Sequence, residues 1–247
     1  MSAEVLAAAI AIAFLAAACE SLTAFGFALV MVPLLSLAWE VKPAVVTSTL
    51  LGTLLLMPLL YEVRGHVRFG WVAPLLIGSF AGIPAGILVL DRIDASALEI
   101  VVACVVIVAG LLVYLSPRLS LERPIALLSL VVGGLSGALR AATSMGGPPA
   151  VLYVLTFERE VERFRAMLLA LFVPSSLLTI AGLAIAGQIS GDVLTATAAG
   201  LPAVALGALV GRWARGRASQ GVFRLAVLAL LFASSGAVLA SASGALG

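Results

Sequence analysis

Glu20 and Arg140 are two charges that stand in the middle of long apolar runs, one in residues 5–38 and the other in residues 125–157. An ionisable group at the centre of a bilayer costs about 2.5–3.5 kcal/mol on insertion scales unless it is paired or hydrated. Hydroxyls and glycines surround both charges. Ser21, Thr23 and Gly26 follow the first; Thr143, Ser144, Gly146, Gly147 and Pro148 follow the second. Two chemistries suit this set. In one, Glu20 and Arg140 form a structural ion pair, and the small residues are kinks and helix contacts. In the other, the guanidinium fork of Arg140 faces a planar or tetrahedral oxyanion, while Glu20 holds Arg140 between turnovers or carries a proton. Taken singly, each hydroxyl is explained well enough by packing. Two matched clusters around two matched charges favour a substrate-binding site.

The elements that must position these residues are membrane helices. The chain has 247 residues, 63% of them hydrophobic and 11% charged, with a mean hydropathy of +1.23. A soluble domain has roughly a quarter of its residues charged, so lipid must be the main solvent here. Six runs have spanning length: 43–61, 70–90, 95–115, 166–187, 193–211 and 222–242. Charged breaks separate them, including Glu158 to Arg165 and Arg212 to Arg217. The two longer runs would each make a straight helix of about 50 Å. Each carries charge, Gly or Pro at its middle and is expected to be two helices joined by non-helical backbone. Pro148 and Pro149 suit the first turn of the second piece.

The interrupted runs also repeat. A shift of 120 residues lays Glu20 on Arg140, Thr23 on Thr143 and Gly26 on Gly146. The expected organisation is an all-α polytopic membrane protein of two homologous halves, 1–117 and 118–247. Each half would be an interrupted or re-entrant helix followed by three transmembrane helices. If each long run doubles back, the halves are inverted. Eleven Lys and Arg side chains then face one side and two, Lys42 and Arg92, the other. If each long run crosses once, the split is nine to four. Basic loops favour the cytoplasmic side, so the sharper asymmetry argues for inverted repeats. Inverted repeats with broken helices are a recurring transporter design, in which helix N-termini aim backbone N–H groups at an anion near the midplane.

Several classes are disfavoured. Cys19 and Cys104 lie far apart within apolar runs, and the lone His66 lies in a charged loop, so no metal or disulfide site is expected. The absence of Gly-x-Ser-x-Gly and of a P-loop argues against an intramembrane hydrolase and against ATP hydrolysis by this chain. No enzyme activity, no cofactor and no nucleic-acid partner is expected. Ala16-Ala17-Ala18-Cys19 imitates a processing site, but no Lys or Arg precedes it, so the first segment is expected to be retained. The stripes Gly78, Gly82, Gly86 and Gly207, Gly211 are expected to pack helices closely, with a homodimer interface as one place for such contact.

Leu22 to Pro33 resembles the first-repeat signature of the sulfite exporter TauE/SafE family. Gly134 to Arg140 and Met145 to Tyr153 are similar to its second-repeat signature, and Lys42 to Ser48 resembles the opening of its next helix. The resemblance runs in order along essentially the whole chain. It implies a permease of the bacterial inner membrane that moves small anions such as sulfite or organosulfonates, outward, as a secondary transporter. A passive anion channel and a non-transporting membrane subunit are the alternatives. Three departures point to a substrate other than sulfite. Ala24 replaces a usual glycine, Arg140 stands among usually small residues, and Arg163 to Leu169 lacks the hydroxyls of Lys42 to Ser48.

Overall fold

A computed structural model describes residues 1–23, 26–115 and 121–215, and all the regular elements among them are helical. In chain order they are α1 (Ala3–Thr23), α2 (Phe27–Leu35), α3 (Val41–Val63), a 3-10 turn (Arg64–His66), α4 (Phe69–Arg92) and α5 (Ala95–Leu115). Then come α6 (Ala126–Thr143), α7 (Gly147–Leu155), α8 (Val161–Ile185) and α9 (Gly191–Arg215). Among the described residues six helices, α1, α3, α4, α6, α8 and α9, are long and apolar enough to cross a bilayer, and α5 adds a shorter apolar stretch. Helices satisfy every backbone group internally, which is what a hydrocarbon solvent demands. The chain is therefore an all-α, polytopic membrane protein. The expected span at 222–242 lies outside the described residues.

Both long runs are interrupted, but later than the sequence suggests. α1 continues through Glu20 to Thr23, and α6 continues through Arg140 to Thr143. Each charge thus sits in the last turn of a long helix rather than in the break. Each break contains a residue of positive φ, at the end of the first and the beginning of the second. Gly26 has φ 123° and Ser144 has φ 64°. The Ser144 N–H bonds the Arg140 carbonyl at 2.7 Å, closing α6 with a left-handed cap.

The second break is a reversal. Were α7 to continue α6, Tyr153 would lie about 40 Å from Ile125 at 1.5 Å per residue. Instead the Tyr153 hydroxyl accepts the Ile125 N–H at 2.9 Å and donates to the Ile125 carbonyl at 3.0 Å. It also lies 2.9 Å from Ser129 Oγ. One turn on, the Leu121 N–H bonds the Thr156 carbonyl at 2.7 Å. α7 is a re-entrant arm that returns toward the end from which α6 came. In the first half α2 packs against both α1 and α3.

Contacts at the helix ends define two poles. At the first pole the amino group of Met1 meets Asp192 at 3.1 Å, Lys42 donates to the Asp91 carbonyl, and Gln188 donates to the Asp91 carboxylate. There α1, α3 and α9 begin and α4 and α8 end. At the second pole Arg212 pairs with Glu62, and Arg68 with Glu158 at 3.8 Å. There α3, α7 and α9 end and α4 and α8 begin. Among the described residues the first pole carries Lys42 and Arg92. The second carries Arg64, Arg68, Arg123, Arg159, Arg163, Arg165, Arg212 and Arg215. Arg118, Arg217 and Arg224, counted in the sequence asymmetry, lie outside the described residues.

α3 and α8 pack on each other at the centre of the fold, flanked by α9 and α4 respectively. The closest contacts are α4 on α6 and α1 on α9. Gly78, Gly82 and Gly86 lie against the backbone carbonyls of Leu130, Gly134 and Ala138, so a side chain there would collide with α6. Gly207 and Gly211 lie in the same way against Phe14 and Ala18 of α1. Both stripes are consumed by packing within the chain. The close packing that each stripe permits is thus made with another helix of the same chain.

Candidate functional site

The last turn of α1 delivers Glu20 to the interior, where it is 3% exposed. Its Oε2 accepts the N–H of Phe27, the first residue of α2, at 2.7 Å. Gly26, at the cap position of α2, has no side chain to offer. Glu20 supplies the missing acceptor from one helix upstream and places a carboxylate at the positive end of α2.

The last turn of α6 delivers Arg140 to the same region, where it is 8% exposed. Its Nη1 donates to Ser176 Oγ at 2.9 Å, and its guanidinium lies 4.3 Å from the centroid of the Phe172 ring. Both partners belong to α8 and hold the guanidinium by one hydrogen bond and one ring face. Gly146 leaves room for this arrangement. A Cβ there would meet the Ser136 carbonyl and the Arg140 side chain, and the Ser136 hydroxyl donates to the Gly146 carbonyl.

No direct ion pair joins Glu20 to Arg140 among the described contacts. The structural ion pair, one of the two readings that the sequence allows, is not formed, and two separately anchored charges stand on the wall of one cavity of about 50 Å³. That is room for a small oxyanion or a few waters.

Of the residues expected from the sequence, Glu20, Gly26, Arg140, Ser144, Gly147 and Pro148 line this cavity. Ser21, Thr143 and Gly146 do not. Ser21 is buried where α1 meets Gly211 of α9. Thr143 donates to the Leu139 carbonyl at 2.8 Å and accepts the Met145 N–H at 3.3 Å, so it shapes the turn. Gly146 stands behind Arg140. Thr23 ends α1, and its side chain lies outside the described part of the molecule.

Sequence reasoning missed the central helices. Ser48, Thr49 and Thr53 of α3, Ser176 and Phe172 of α8, and Phe27 of α2 all line the cavity. A matching pattern marks α3 and α8. Thr49 and Thr53 donate to the carbonyls of Val45 and Thr49, and Ser175 and Thr179 to those of Leu171 and Ser175. The hydroxyls sought at 163–169 come instead at 175–179, beyond Pro174. Hydroxyl contacts also tie distant parts of the chain together, with Ser144 donating to Ser48 at 3.3 Å and Ser79 lying 2.8 Å from Ser175.

The two helix starts at the cavity differ in electrostatics. The start of α2 already faces a carboxylate. The start of α7 has no capping side chain, two of its first residues are prolines without N–H groups, and Arg140 stands beside it. This side of the cavity combines a positive helix end, an always-charged guanidinium and hydroxyl donors, which together suit a small oxyanion.

The family model for the sulfite exporter TauE/SafE matches residues 9–238, nearly the whole chain. The chain belongs to that family. No curated protein and no solved structure matches it.

Proposed function

We propose that this member of a membrane-transporter family is a secondary transporter that exports small anions, sulfite or organosulfonates among them, and binds them near the midplane between its two interrupted helices. Membership in the family implies a sulfite- or anion-exporting permease. The observation that carries the site is Arg140, buried beside an uncapped helix start and turned to a cavity of oxyanion size rather than to Glu20.

The halves 1–117 and 118–247 are inverted repeats in this proposal. Several contacts support it. α1 packs on α9 as α6 packs on α4, and the two central helices pack on each other. α3 begins at the pole where α8 ends, and α4 ends at the pole where α9 begins. The basic second pole is the cytoplasmic one by the charge rule, and the membrane is the bacterial inner membrane.

The test is counterflow of labelled sulfite in proteoliposomes, with competing small anions, for wild type and Arg140→Ala. Saturable exchange that is lost with Arg140, in protein shown to be folded, supports a carrier, and the order of competitors names its substrate class. Flux without counterflow would instead mean a channel. Exchange with unaltered kinetics in Arg140→Ala would overturn the site.

A further inference from the structure

Arg165 lies in the second turn of α8, within a stretch that composition alone reads as an inter-span loop. It is 7% exposed. Its Nη1 makes one long contact, 3.5 Å, with Glu162 Oε1, a side chain that is 49% exposed. Its Nε and Nη2 are buried without a hydrogen-bond partner. Those two nitrogens form one edge of the guanidinium, whose parallel N–H groups match two oxygens of a single oxyanion. A charged donor pair buried without an acceptor is costly, and such groups cluster where a ligand supplies what the fold withholds.

The position of Arg165 on its helix adds an independent observation. Phe172 and Ser176 line the central cavity and hold Arg140. They follow Arg165 by seven and eleven residues, spacings that put all three on one face of α8. Arg165 therefore stands on the cavity-facing side, about 10 Å before Phe172 at 1.5 Å per residue, on the way from the basic pole.

We infer that Arg165 is a second anion station, between the basic pole and the central cavity, which takes one oxyanion side-on through Nε–H and Nη2–H. The inference rests on the proposed transport function. An anion entering from the basic pole meets Arg165 first and passes from it to Arg140 in the cavity that Glu20 also lines.

The test is equilibrium binding of labelled sulfite to the purified full-length chain, together with counterflow, for wild type, Arg140→Gln, Arg165→Gln and Arg165→Lys. Wild type is expected to bind one anion more per chain than either glutamine variant. Arg165→Lys, which keeps the charge and loses the fork, is expected to slow exchange about tenfold or more. Without anion, Arg165→Gln should melt no lower than wild type, because it removes a buried charge that lacks partners. Should Arg140→Gln abolish binding while Arg165→Gln matches wild type, the station falls and the proposed function stands. Should Arg165→Gln lose an anion while Arg140→Gln loses none, the station stands and the central site falls. No saturable binding by wild type sinks both. If both Arg165 variants melt well below wild type without anion, Arg165 is structural and the station is overturned.

Discussion

The two interrupted helices solve the same backbone problem with opposite charges. At the first break the chain passes through Gly26 and the start of α2 is closed by Glu20, an acceptor that the protein itself provides. At the second it turns through Ser144, α7 starts with no side-chain cap, and the nearby charge is Arg140, held from behind by Ser176 and Phe172. A helix start favours an anion in either case. One start has a carboxyl group of the chain itself as its acceptor, and the other stands beside a guanidinium in a cavity. In the proposed function the difference makes Glu20 a cap and leaves Arg140 for the substrate.

The strongest break of this comparison is removal of Arg140. Arg140→Ala should abolish sulfite exchange, and Arg140→Lys should restore only part of it, since an ammonium keeps the charge and lacks the planar fork. Initial rates of counterflow check this; full activity in the lysine variant would mean that the fork is not used.

Gly146→Ala comes next. The backbone at Gly146 has φ −73°, which any residue adopts, so the glycine is required for space alone. An added methyl would displace Arg140 or the Ser136 carbonyl. The expected outcome is lost exchange with a destabilisation of about 1–3 kcal/mol, typical of overpacking. A wild-type rate and melting temperature would show that the turn relaxes without moving Arg140.

Glu20 sharpens the contrast from the other side. Glu20→Gln retains an oxygen for the Phe27 N–H, whereas Glu20→Ala leaves the start of α2 open. Loss of a cap costs about 1 kcal/mol, so thermal unfolding should rank wild type and Gln above Ala. The Gln variant should also bind sulfite more tightly, because one carboxylate has left the anion's cavity. Equal stability of the Gln and Ala variants would remove the capping role.

Ser176→Ala is expected to act on binding and leave stability alone. It removes one hydrogen bond from a guanidinium still backed by Phe172, and should weaken apparent sulfite affinity about tenfold with the fold intact. An unchanged affinity would mean that ring contact alone positions Arg140.

The legible parts of the fold are those set by short stretches of chain. Glu20 and Arg140 stand out because a charge is expensive in hydrocarbon wherever the rest of the protein lies. The breaks stand out because Gly26, Gly146, Pro148 and Pro149 interrupt runs too long to be single helices. Boundaries were less legible. α8 takes up Glu162, Arg163 and Arg165, which composition places in a loop, because the backbone hydrogen bonds of a helix run on whatever the polarity of its side chains, so the helix begins before its apolar stretch does.

The sequence by itself determined that this is a helical membrane protein, that two long apolar runs are interrupted, and which two charges lie within them. Those conclusions follow from bilayer thickness and the cost of unpaired polar groups, which act on each segment separately. Only the tertiary structure decided that α7 folds back to bond Ile125 through Tyr153, that α6 fills the Gly78–Gly82–Gly86 stripe, and that Glu20 and Arg140 are anchored apart. It alone brought Ser48, Thr49 and Ser176 to the cavity and buried Arg165. Each of these depends on which helices meet and at what register, and such contacts join residues far apart in the chain that no local pattern connects.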